Sequence, residues 1–190
     1  MELTFPLSRT PRSSGHRDII NFISLRQATP ADDIAVAELL THTFISTYRE
    51  KLPAVLTSEE RKRELRDVGS RRRQGHVCVA ELGYRTIGSF SLIHPESEAS
   101  EAWGPHGATL RCVAIDPEFH GLALSELLLN ESDRIAKAWG ARAIYLHVQK
   151  GASKVAILYQ RHGYVRDAAG DKISFGAEIE GFRKDLPFEP

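Results

Sequence analysis

Two short stretches of this chain carry residue types at spacings that suit chemistry. In the first, Asp116-Pro117-Glu118-Phe119-His120-Gly121 stands where a β-branched run gives way to a Leu-rich helical pattern. A strand end turned directly onto a helix start leaves backbone N–H groups unpaired at the positive end of the helix dipole, which is a ready-made anion site. The segment His120, Gly121, Leu122, Ala123, Leu124 and Ser125 would form that turn, with Gly121, Ala123 and Ser125 small enough for a ligand to approach the backbone. The second stretch is Leu158-Tyr159-Gln160-Arg161-His162-Gly163-Tyr164. Its Tyr159 carries a phenol that, with a pKa near ~10, is mostly protonated at neutral pH and so has a proton to donate. The same tyrosine at an inward helical position is equally at home as core packing. Glu81, Glu101, His94, His106 and His147 are candidate bases, with Glu101 and His106 set apart because they share a long polar loop.

The elements that must position these groups follow from periodicity. The spacing predicts a first strand at Phe22–Arg26, then a helix opened by Thr29 and Pro30, with Ile34, Ala37, Thr41 and Phe44 on its inner face and Val36, Leu39 and Leu40 widening it. Thr57 and Glu60 read as a capping box for a surface helix anchored by Leu65 and Val68. His76–Leu82 and Thr86–Ile93 read as a hairpin across Gly83-Tyr84-Arg85, followed by the loop His94–Gly107 with three carboxylates and Trp103. That loop could hold a cationic amine by charge and by the indole face, lie on the surface, or form a contact in a homodimer. Leu124, Leu128, Ile135 and Trp139 mark the helix after the anion turn and Gly140 its stop. Ile144, Leu146 and Val148 alternate as a strand, a short helix carries Tyr159, and late strands fall at Ile173–Phe175 and Ile179–Leu186. The order implies a single α/β (α+β) domain over 23–190, built on a mixed, mostly antiparallel twisted sheet flanked by helices. Residues 1–22, with Pro6, Pro11 and Gly15, read as an N-terminal extension.

Composition excludes several classes. Lys plus Arg equals Asp plus Glu at 25 each, so no overall field draws nucleic acid or anionic lipid. Arg61 to Arg73 is locally basic, but Glu59, Glu60, Glu64 and Asp67 neutralise it in part, as on an ion-paired helix face. Cys78 and Cys112 form no Cys-x-x-Cys pair and fall in strand-like runs, as reduced buried thiols do. With no apolar run long enough for a membrane helix and no apolar core at Met1–Pro6, the expectation is a cytoplasmic protein without metal or membrane association.

Taken together, Ile115 to Gly121, Leu146-His147-Val148, Leu158 to Tyr164, and the opening Leu25-Arg26-Gln27-Ala28-Thr29-Pro30-Ala31-Asp32 resemble the GNAT-type N-acetyltransferase superfamily over about residues 23 to 186. The resemblance implies acetyl-CoA as acyl donor, direct transfer to the amine of a small molecule or peptide, and the superfamily's single-domain fold. It places the thioester carbonyl against backbone at Val113, Ala114 and Ile115, the pyrophosphate on His120 to Ser125, and the departing sulfur near Tyr159. The chain departs from the pattern at two places. Ala123 stands where the family loop has glycine, with Leu122 beside it further restricting the backbone, and Ala152 stands where the family often has an asparagine that contacts the cofactor arm. Those departures leave a second reading open, a non-catalytic CoA-binding or regulatory module on the same fold.

Overall fold

The structure, a computed structural model, describes residues 19–49 and 58–187. Most of the proposed extension lies outside them, as does Thr57. Eight strands form one sheet: β1 (Ile23–Gln27), β2 (Gly75–Leu82), β3 (Arg85–Ile93), β4 (Gly107–Ile115), β5 (Ala143–Gln149), β6 (Val165–Arg166), β7 (Lys172–Ser174) and β8 (Ala177–Asp185). Their order is β1-β2-β3-β4-β5-β8-β6, with β7 on β8. Every pairing is antiparallel except β4 with β5. The mixed, mostly antiparallel α/β sheet read from the sequence is the architecture observed.

Alternation along β2 divides the core in two. Val77 and Val79 face helices α1 (Asp33–Arg49), α2 (Glu59–Arg66) and α3 (Val68–Gln74). Cys78 and Ala80 face α4 (Leu124–Ala138) and α5 (Ser153–Arg161) on the other side. Both cysteines are free and buried, and burial pushes the Cys78 thiol up to about 12, so it is an inert apolar filler.

The first helix buries a different stripe from the one its periodicity suggests. Val36, Leu39, Leu40 and Thr43 are buried, whereas Ile34 is 74% exposed. The helical pattern held two overlapping apolar stripes, and the one with Val36 and the Leu pair closes on Val77, Val79, Cys112 and Ala114. Asp32 caps this segment, accepting from the Thr29 N–H at 2.6 Å and hydroxyl at 2.8 Å. It also takes both Nη groups of Arg26 at 2.8 and 2.7 Å.

The second helix starts at Ser58 rather than Thr57, because the Ser58 hydroxyl reaches the N–H of Arg61 at 3.2 Å. It is then cut at Asp67, whose backbone leaves the helical region (ψ 61°) and whose carboxylate accepts from Ser70 N–H at 3.1 Å. Arg71 is 4% exposed and donates to the Glu64 carbonyl at 2.5 Å and the Leu65 carbonyl at 2.7 Å. A cation closing the C-terminus of α2 is a structural use of a residue that sequence alone would count as surface charge.

Two further histidines, His76 and His162, are held neutral. Burial depresses His76, whose Nε2 meets no partner among the described residues. Burial and then Lys184 depress His162. The unfolded chain binds protons near ~6.5 at such groups and the folded chain only below that, so folding stability is complete above the unfolded value and is lost as pH falls through it. The urea midpoint should therefore drop between about pH 7.5 and about pH 5.5, and the drop should shrink in His76→Gln and His162→Gln; a flat profile would show that these rings are not buried neutral.

Candidate active site

The site begins with one extra residue in β4. Ser89 pairs with Ala114 and Ser91 with Arg111, so two steps on β3 oppose three on β4. Cys112 absorbs the surplus in a left-handed conformation, φ 53°, which is a β-bulge. Side chains change faces across it. Ala108 and Leu110 lie in the α4 core, and Cys112 and Ala114 in the α1 core.

On its other edge β4 pairs with β5 at Gly107–Ala143, Ala108–Ile144 and Thr109–Tyr145 and no further, while the far edge of β5 stays paired with β8 from Ala143–Asp185 to Gln149–Ile179. From Leu110 onward the edge of β4 that includes Val113, Ala114 and Ile115 therefore faces a wedge-shaped gap rather than a strand. The wedge leads to the anion turn. Gly121 has φ 85° with open space where a Cβ would be, and Ala123 is left-handed at φ 56°, ψ 17°. Among the described residues no acceptor meets the backbone N–H groups from Gly121 to Glu126. His120, Gly121 and Ala123 are exposed, Ser125 half-buried, and Leu122 and Leu124 point into the core. Leu122 thus leaves the approach clear. The turn is tied to the sheet by Arg85, which reaches Asp116 at 2.6 Å and Glu118 at 2.7 Å and lies 5.0 Å over Phe119.

Tyr159 is 8% exposed on the inner face of α5, edge-on to Tyr164 at 5.5 Å. Ala152 is also buried, at the start of α5, where its carbonyl accepts from Val155 and Ala156.

The candidate bases separate clearly. Glu81 is committed to Arg26. His94 lies against Trp139, away from the wedge. His106 is exposed in the turn before β4. Glu101 and His147 come together at the mouth of the wedge, with Glu101 Oε2 3.8 Å from His147 Nδ1. His147 Nε2 donates to the Gly170 carbonyl at 2.9 Å, which leaves the Nδ1 lone pair facing Glu101. Burial, then Lys172, holds His147 below its ordinary value, so the ring is neutral. Burial pushes Glu101 up, but Arg111 and Lys172 outweigh it and the carboxyl sits below its usual range.

Around this pair runs a charged network that the sequence reading did not assemble. Arg111 Nη2 donates to Glu64 at 3.1 Å and its Nη1 lies 3.6 Å from Glu101, while Lys172 reaches Glu101 at 3.1 Å. Glu64 also takes Arg61, and Arg61 is 5.3 Å from the ring centres of both Phe44 and Phe175. The available signal was a lone arginine inside the apolar run Leu110–Ile115. Trp103 has no free face for a cation. Its indole donates to Asp167 at 2.8 Å, and its rings pack on Tyr145 and His147. A Cβ at Gly170 would lie 2.5 Å from Trp103, and one at Gly104 or Gly107 would strike Tyr145.

The left-handed backbone at Ala123 costs about 1–2 kcal/mol that glycine would not incur, offset in part by glycine's greater freedom when unfolded. Ala123→Gly should therefore raise stability by about 0.5–1 kcal/mol, read as a higher urea midpoint; a loss of stability would show that the turn is not left-handed there.

The comparisons with known proteins agree with this geometry. No curated protein matches the chain by sequence. Among solved structures, a GNAT-family acetyltransferase from Staphylococcus aureus Mu50 superposes with a TM-score of 0.68 at 14% identity, covering 87% of this chain and 99% of that one. YncA of Salmonella typhimurium, solved with its cofactor acetyl-CoA, gives 0.64 at 17% identity over 88% and 96%. The PaiA N-acetyltransferase of Thermoplasma acidophilum, in complex with coenzyme A, gives 0.65 at 18% over 86% and 98%. At these identities the likeness is one of fold. The family model described as Acetyltransferase (GNAT) family matches residues 35–164, a span that contains the bulge, the wedge, the anion turn and Tyr159, and the chain belongs to that family.

Proposed function

We propose that this protein transfers an acetyl group from acetyl-CoA directly to an amine. The observation that carries this reading is the wedge between β4 and β5, opening onto a turn whose N–H groups from Gly121 to Glu126 meet no acceptor among the described residues. Those N–H groups, with the dipole of α4 behind them, fit a pyrophosphate, and the open space at Gly121 fits a close approach. Acetyl-CoA, when bound, supplies an electrophilic thioester carbonyl and a thiolate leaving group.

The chain's own groups do the rest. The backbone of Val113, Ala114 and Ile115 lines the free edge of β4 and orients the carbonyl, in the manner of an oxyanion hole. His147 Nδ1 takes a proton from the acceptor amine, and Glu101 holds the positive charge that develops on the ring. The phenol of Tyr159 gives its proton to the departing sulfur. Burial of His147 serves this role, because a ring already protonated at pH 7 could accept nothing.

Titration calorimetry should show acetyl-CoA binding, and thiol release across an amine panel should show turnover; absence of binding would overturn the reading. Binding without turnover on any amine would favour the regulatory module that Ala123 and Ala152 left open. Tyr159→Phe should lower kcat by about 10²-fold or more with acetyl-CoA affinity unchanged. His147→Gln should lower kcat by a similar factor, about 10²-fold at neutral pH, with the deficit shrinking as pH rises toward the amine's own pKa. A pH-independent deficit would remove His147 as the proton acceptor.

A further inference from the structure

We infer that the acceptor is an amine that also carries an acid group, of the α-amino-acid type, with Arg111 and Arg61 receiving the acid; the inference rests on the acetyltransferase reading. Among the described residues the network at the mouth of the wedge sets Arg61, Arg111 and Lys172 against the carboxylates of Glu64 and Glu101, with Arg71 buried beneath it at the end of α2. His147 adds no charge, because burial and Lys172 keep it neutral. The excess is positive, which repels a polyamine or a lysine side chain and attracts an anion.

The geometry narrows the class. Glu101 Oε2 and His147 Nδ1 are both acceptors, 3.8 Å apart, and an amine nitrogen can donate to both. Arg111 Nη1 lies 3.6 Å from that same carboxylate, beyond hydrogen-bond length, and among the described residues Arg111 hydrogen-bonds through Nη2, to Glu64. A guanidinium has five N–H donors, so Arg111 keeps a fork to offer a carboxylate beside the amine position. Arg61 is fixed between the rings of Phe44 and Phe175 and anchored by Glu64, so it presents its charge without ordering a free side chain. One face of each of Phe44 and Phe175 is covered by that arginine, and Trp103 is engaged by Asp167 and Tyr145.

The test compares L-amino acids with their methyl esters in acetyl-CoA-dependent thiol release, alongside spermidine. The free acid should exceed its ester by about 10-fold or more in kcat/KM, the worth of one charge-assisted contact. Arg61→Gln should raise KM for the acid by about 10-fold and leave the ester's KM in place. Calorimetry with N-acetyl amino acids and their methyl esters, in the presence of CoA, reads the same preference without turnover. Esters or spermidine used as well as free acids would overturn the inference. If nothing is turned over and the N-acetyl acid still binds better than its ester, the acid site stands and the transfer reading falls. If acetyl-CoA does not bind, both fall.

Discussion

The extra residue in β4 is the constraint on which the rest of the molecule depends. Holding Cys112 left-handed costs about 1–2 kcal/mol, since its Cβ crowds the following carbonyl. What that strain secures is a change of face. Before the bulge β4 serves the α4 core and after it the α1 core, so one strand closes both layers. It also puts Cys112 on the side that Arg111 already occupies by alternation with Leu110, where the arginine meets Glu64 and Glu101. Regular alternation would have put Arg111 and Ala114 on opposite faces.

The wedge and the rim are made by different physics. The wedge is a backbone feature: β8 pairs the far edge of β5 along its whole length, while the near edge leaves β4 after Tyr145. The rim is a side-chain feature carried by elements far apart in sequence, namely α2, β4, the loop before it, and β7. Half-buried ion pairs of this sort add little net stability, because desolvation offsets most of the Coulomb gain. Their effect is to fix where charges stand, and a site that must present one neutral ring among several cations needs that fixing.

Much of the fold was legible because its signals are local. Gly83, Gly140 and Gly163 marked ends that the structure keeps, and alternation in β2, β3 and β5 gave strands within a residue of their bounds. Local signals failed where two local solutions competed. Ile34 and Val36 were both apolar candidates for the inner face of α1, and only the shape of β2 and β4 decides for Val36. Asp67 reads as one more surface acid in a continuous helix, and its cutting of α2 from α3 depends on a hydrogen bond to Ser70. In the site, the anion turn and Tyr159 stood out as contiguous motifs. Arg61, Glu64 and Arg111 did not, because nothing along the chain says that residues 47 positions apart meet at 3.1 Å.

The wall behind His147 constrains change in its own way. Trp103 and Tyr145 fill the volumes that side chains at Gly170, Gly104 and Gly107 would require, and Gly170 also supplies the carbonyl that sets the His147 tautomer. No single enlargement at any of the three glycines is tolerated while both aromatics stay, and shrinking an aromatic first opens a hole beside His147. Sequence drift in this wall must therefore proceed by paired substitutions. At the far rim Arg61 rests on the faces of Phe44 and Phe175 and on Glu64, contacts without such an interlock, so side chains there can change by single steps.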